Sequence, residues 1–191
     1  MRRGPKIPLP KAVVINTIHQ PTLGNASAKL HIVAFEDLKC SNCMRYNLTI
    51  FPKIYDQYIK TGKAKYTVIT LAFIKGSIPA GNAAKCVYAQ NHQAFFDYVK
   101  YIYSHQPPET ENWATIPNLM LYATHVKGVN QDTLSKCLVA SPYSQTMLDN
   151  LDIAKKIMGA DGVSTPRIYV NGVEVTPLSW KNFQNVVNEA E

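Results

Sequence analysis

Between Phe35 and Tyr46 an apolar, β-branched run gives way to a helical pattern, and two cysteines sit at the join. Leu30, Ile32, Val33 and Phe35 carry the strand signal. Met44, Leu48, Phe51, Ile54, Tyr55, Tyr58 and Ile59 recur at the spacing of a helix whose stripe faces a core. Cys40 therefore falls at a helix N-terminus, with Cys43 one turn further in. Positions i and i+3 of a helix share a face about 5–6 Å apart, within the reach of a disulfide. Free backbone N–H groups and the macrodipole at that end favour negative charge. Such surroundings lower a thiol pKa and make the thiolate the attacking species. Cys43 is then shielded and placed to resolve a mixed disulfide formed at Cys40, while Lys39 and Arg45 add positive charge nearby.

The pattern implies thiol–disulfide exchange. A structural disulfide or half of a zinc site is the competing reading. Zinc asks for four ligands with a closely spaced second pair. The other cysteines, Cys86 and Cys137, are isolated from each other and from any histidine at ligand spacing, so no metal is expected. The five histidines (His19, His31, His92, His105 and His125) have no Cys or Ser partner nearby in sequence and read as surface or core residues.

With 191 residues, 46% of them hydrophobic and 17% charged, the chain is long enough to bury one sizeable core. No apolar run approaches the roughly 18–20 residues that span a bilayer. Met1-Arg2-Arg3-Gly4-Pro5-Lys6 is charged but is not followed by the apolar stretch of a signal peptide. Four cysteines, an even number, fit an oxidising compartment. The expectation is therefore a periplasmic or otherwise extracytoplasmic protein whose leader has been replaced by the start Met. The net charge of +7 is spread along the chain without a basic helix or a recognition motif, so no nucleic-acid partner is expected.

Read in order, residues 1–28 form a proline-rich extended arm with one short strand near Ala12–Ile15. Lys29–Phe35 is the first long strand, and Pro52 should kink the helix after Cys40. Lys63–Phe73 alternates as a strand. Helical signals follow at Pro79–Gln90, Gln93–Ser104, Ile116–Val126 and Gln131–Val139. The last of this block starts at Pro142 and ends at Gly159, with Met147, Leu148, Leu151, Ala154, Ile157 and Met158 as its apolar stripe. Arg167–Val170 and Val173–Thr176 read as a hairpin around Asn171-Gly172, a type I′ pair. Ser179 caps a final helix. The outcome is one α/β unit, residues 1–75 and 160–191, interrupted by a helical insertion at 76–159.

In this order and spacing, Phe35…Cys40-Ser41-Asn42-Cys43, the helical insertion, Gly162-Val163-Ser164-Thr165-Pro166 and the Val170-Asn171-Gly172 hairpin resemble the DsbA-like branch of the thioredoxin superfamily. The resemblance covers roughly residues 24–188. It implies a thioredoxin fold and a thiol:disulfide oxidoreductase that oxidises folding, cysteine-containing secreted proteins. Re-oxidation by a membrane quinone-linked partner of the DsbB or vitamin-K-epoxide-reductase type is also implied, as are a monomeric chain and no bound cofactor. It further implies that Ser164, Thr165 and Pro166 form a substrate loop facing Cys40, with Thr165-Pro166 cis. Cys86 and Cys137 are expected, again from relatives, to pair as a structural disulfide.

Two departures stand out. Relatives often carry a buried acid six positions before the first cysteine, where this chain has Ala34. Glu36 and Asp37 are near, but the sequence assigns neither a catalytic role. The dipeptide Ser41-Asn42 has neither the Pro-His of strongly oxidising relatives nor the Gly-Pro of reducing ones. Without an imidazole one stabiliser of the Cys40 thiolate is missing, so an oxidising but moderated pair is expected. An isomerase or reductase, or a peptide-binding chaperone-like module, is the alternative.

Overall fold

The strand that leads to the cysteines, β2 (Leu30–Asp37), runs through the middle of the sheet and is covered on both faces. That is why it reads as a near-continuous apolar run rather than an alternating one. β3 (Ala64–Leu71) pairs with it in parallel and β4 (Arg167–Val170) antiparallel. β1 (Thr22–Gly24) and β5 (Val173–Glu174) form the edges, giving the order β1-β3-β2-β4-β5 among the described residues. This computed structural model describes residues 8–191. The charged start and Pro5 lie outside the described residues.

A parallel β2–β3 pair needs a crossover, which α1 (Ser41–Thr49), α2 (Phe51–Ile54) and a wide π-helical turn at Tyr55–Ile59 provide. The break falls at Ile50, with Pro52 in the first turn of α2, where its missing N–H does least harm. The helical block comprises α3 (Ile78–Gln90), α4 (His92–Ser104), α5 (Ile116–Ala123) and α6 (Gln131–Ala140). α7 (Ser144–Met158) follows, and α8 (Trp180–Ala190) closes the chain. Side chains of Asn91, Thr115, Asn130 and Ser179 accept the backbone N–H three residues on, fixing four of these helix starts.

The pleat of β2 sorts its side chains into two cores. Leu30, Ile32 and Ala34, with Leu38 just past the end of the strand, face the larger one, shared with α1, α3, α4 and α8. Val33 and Phe35 face the other, where Ile69, Leu71 and Tyr169 meet Ala154 and Met158 of α7. Phe35 and Tyr169 stack edge to face, centroids 5.7 Å apart. Cys86 on α3 and Cys137 on α6 are joined by a disulfide, Cα–Cα 6.0 Å, tying two helices of the block.

Several boundaries differ from the sequence reading. No strand forms at Ala12–Ile15; the arm makes one sheet-like bond, Val13 N–H to the carbonyl of Gly172 at 2.9 Å. β5 is only two residues long and offers too short an edge for a further strand. Gly172, at φ +82°, permits the approach, since a Cβ there would collide with the Val13 backbone. Pro142 precedes α7, which buries Met147, Asn150, Ala154 and Met158 and leaves Leu148 exposed. Leu48 and Tyr55, assigned to the core stripe after Cys40, are likewise exposed.

Candidate active site

Cys40 occupies the N-cap of α1 in an extended conformation, and its Sγ accepts the Cys43 N–H at 3.2 Å. A cap position normally held by Ser, Asp or Asn is thus filled by sulfur. Cys40 is 6% exposed and Cys43 is fully buried, both as free thiols. On the far side the Cys40 thiol meets the backbone carbonyl of Thr165 at 3.5 Å, and the Thr165-Pro166 bond is cis. The loop identified from sequence therefore does face the first cysteine. Thr176-Pro177, which the sequence did not single out, is also cis.

The electrostatics separate the two sulfurs. A hydrogen bond from the Cys43 side chain, then the Thr165 hydroxyl and the N–H groups of Cys43 and Asn42, bring the Cys40 pKa down to about 6 against the opposing effect of burial. Burial, followed by the nearby Cys40 and Glu36, pushes Cys43 well up. One thiol is poised as an anion at neutral pH and its neighbour is held protonated. Ser41 and Asn42 point to solvent, and it is the Asn42 backbone N–H that favours the thiolate.

The turn carrying the pair is held from beneath. Asp37 accepts the N–H groups of Lys39 at 3.0 Å and of Phe73 and Ile74 at 3.1 Å, and the Ser77 hydroxyl at 3.1 Å. Its role is to lock the β3–α3 loop to this turn. Lys39 is buried, with its ammonium donating to the carbonyls of Lys75 (3.1 Å) and Glu111 (2.9 Å). Gln106 donates to the carbonyls of Leu38 and Cys40 at 2.6 and 3.3 Å. The polar loop after α4 is thereby folded over the cysteines.

Glu36 is the residue that sequence reasoning passed over. It lies on the same face of β2 as Ala34 and is 2% exposed. Asn47 Nδ2 donates to Glu36 Oε1 and to the Cys43 carbonyl, both at 2.9 Å, and the Tyr103 hydroxyl donates to Oε2 at 3.4 Å. Strict alternation along β2 was the signal available, two residues beyond Ala34. Tyr46, Phe95 and Tyr98 are buried in the core, while Met44 and Phe96 are partly covered. Among the described residues no three His, Cys, Asp or Glu side chains converge as a metal site, and no helix is long and apolar enough to cross a membrane.

A strand–Cys-x-x-Cys–helix unit facing a cis-proline loop defines a thiol–disulfide exchange protein on a thioredoxin fold. A family model described as thioredoxin matches residues 16–189. Disulfide bond formation protein D of Bacillus subtilis is 30% identical over 153 residues, 80% of this chain and 68% of that protein. Oxidised BdbD of the same organism superposes with a TM-score of 0.85 at 25% identity, covering 94% of this chain and 96% of that one. Chlamydia trachomatis DsbA does so with a TM-score of 0.84 at 26% identity and the same coverage of each chain. The chain belongs to the thioredoxin family, in its DsbA-like branch.

Proposed function

We propose that this chain is a protein dithiol oxidase that introduces disulfides into folding, cysteine-containing proteins outside the cytoplasm. One observation carries it: Cys40 sits at the open end of α1 with its thiolate favoured, against a cis-proline loop, while Cys43 is shielded behind it. A substrate thiolate attacks Cys40 Sγ of the oxidised pair; the Cys40–Cys43 bond breaks and Cys43 leaves as a thiolate that takes a proton. A second substrate thiolate then attacks the substrate sulfur of the mixed disulfide. The substrate leaves oxidised and Cys40 leaves as a stabilised anion. Two electrons pass to the protein and must be removed by an oxidant.

In this reading Cys40 and Cys43 are catalytic, Ser41 and Asn42 tune the pair, and Ser164, Thr165 and Pro166 align the substrate backbone as an added strand. The Cys86–Cys137 disulfide steadies the insertion at 76–159, and residues 1–75 and 160–191 form the redox scaffold. A quinone-linked membrane oxidase of the DsbB or vitamin-K-epoxide-reductase type restores the disulfide, and the chain works as a monomer. Relatives bearing the names of disulfide-forming proteins support this reading over that of an isomerase. The test is refolding of reduced and of scrambled ribonuclease. Faster oxidation of the reduced form without a gain on the scrambled form is expected; the reverse result identifies an isomerase, and activity in a Cys40→Ser variant rules out the mechanism.

A further inference from the structure

The segment that brings Thr165 to Cys40 has little of its own to hold it. From Val163 to Pro166 no backbone group bonds to another backbone group among the described residues. Ser164 is exposed, and nothing lies within 4 Å of where a Cβ would stand on Gly162, at φ +76°. Val163 packs against the second core. The first residue after the turn to join the sheet is Arg167, which pairs with Phe35 of β2 at the start of β4.

On the outer side of β4 the ladder is short. β5 offers Val173 and Glu174, opposite Val170 and Tyr169, and one further bond runs from the Val175 N–H to the Ile168 carbonyl at 2.8 Å. Among the described residues no backbone bond joins β4 to this edge any nearer Pro166. A side-chain fork takes over there. Arg167 Nε and Nη2 donate to Glu174 Oε1 and Oε2 at 2.7 and 3.0 Å. The two residues are diagonal neighbours across the hairpin, a separation that long side chains span. Their side chains are 14% and 21% exposed, so salt screens the pair less than it would a surface bridge. The bidentate geometry fixes direction as well as distance. Asp161, just before the loop, acts on the same guanidinium.

We propose that the Arg167–Glu174 pair positions the substrate loop: it holds the residue after Pro166 against β5, so that the Thr165 backbone stands beside Cys40 ready for an incoming peptide. The inference deepens the reading of Ser164, Thr165 and Pro166 as the place of strand addition, and rests on it. Arg167 shares the Phe35 face of the sheet, whereas Cys40 and Cys43 belong to the other core. The pair therefore acts through the backbone that it steadies. A backbone already in place spares the incoming peptide the ordering of that loop. The effect belongs to peptide binding and not to the sulfur chemistry.

Two thiols separate these contributions. A short peptide with one cysteine between apolar residues can pair with Thr165; dithiothreitol has no peptide backbone and cannot. Stopped-flow reaction of the oxidised protein with each, over a range of concentrations, gives a half-saturation concentration and a limiting rate for the peptide. Arg167→Met and the shape-preserving Glu174→Gln should each raise that concentration by roughly tenfold, with the limiting rate and the dithiothreitol rate within about twofold of wild type. Arg167→Lys, whose ammonium cannot make the fork, should fall between. Exchanging the partners, Arg167→Glu with Glu174→Arg, should restore most of the peptide affinity. An unchanged half-saturation concentration in Arg167→Met and Glu174→Gln, or a dithiothreitol rate that falls as far as the peptide rate, overturns the inference. A wild-type reaction with the peptide that shows no saturation would instead remove the strand-addition reading on which it rests.

Discussion

The ammonium of Lys39 is buried beside the redox cysteines and donates at 2.9 Å to the backbone carbonyl of Glu111, seventy-two residues along the chain. Together with its bond to Lys75 it fastens two loops to the Cys40 turn. A Lys39→Met variant removes the donor while keeping most of the bulk. Urea unfolding should show a loss of about 1–3 kcal/mol, because the carbonyls lose a charged partner. Amide exchange across residues 106–112 should speed up more than exchange in the sheet.

Alkylation of the reduced protein should titrate with a midpoint near pH 6 and modify Cys40 alone. Because the Cys43 side chain is the foremost stabiliser of the anion, Cys43→Ala should move that midpoint upward while trapping mixed disulfides. A reactive Cys43, or a midpoint that stays put in Cys43→Ala, contradicts the arrangement.

The stability of the reduced form should depend on pH with a definite sign. The Cys40 pKa is depressed by folding, so its contribution is complete above the free-thiol value of 9.0 and disappears as pH falls through about 6. The oxidised form has no such thiol. Denaturation of the two forms should therefore show the advantage of the reduced protein shrinking over that window. A thiol near 6 lies between the values of about 3.5 for DsbA and about 7 for thioredoxin. The potential against glutathione should accordingly fall between about −120 and about −270 mV.

Removing the Cys86–Cys137 bridge should cost about 4 kcal/mol, the chain-entropy value for a loop closed across 51 residues. Paired Cys86→Ala and Cys137→Ala substitutions, followed by thermal melting, give the measurement. The alkylation midpoint of Cys40 should not move, since neither residue is among the groups that set it.

Thr165→Val separates the two polar groups of the residue before Pro166. Its hydroxyl is buried and makes no hydrogen bond beside the Cys40 thiol, which leaves it free to donate to the thiolate. The substitution should leave stability unchanged or raise it by about 1 kcal/mol, and shift the Cys40 midpoint upward. Loss of substrate exchange with no change in midpoint would move the role of Thr165 to its backbone.

How much of this was legible in the sequence depended on how local each cause was. The Asn171-Gly172 turn, the Ser179 cap and the thiol at the start of α1 follow from residues within a few positions of one another. Glu36 did not: alternation puts it on the Ala34 face of β2, but its partners, Asn47 of α1 and Tyr103 of α4, are brought to it only by the fold. Lys39 reads as a surface charge until the loop carrying Glu111 folds over it. The arm at Ala12–Ile15 had strand composition, but a strand needs an edge, and β5 supplies one bond's worth. Leu148 looked like core because apolar spacing on α7 is two residues wide, and only contact with the sheet decides which row is inside.

The single bond between Val13 and Gly172 gives the leading arm a latch whose keyhole is the absence of a side chain. Val13 and Ile15 pack there against the second core, beside Val33 and Tyr169. A methyl group at Gly172 would eject the arm and leave that oily face wet, on the side of the sheet away from the cysteines. Self-association of a Gly172→Ala protein, with its redox chemistry intact, would be the visible symptom.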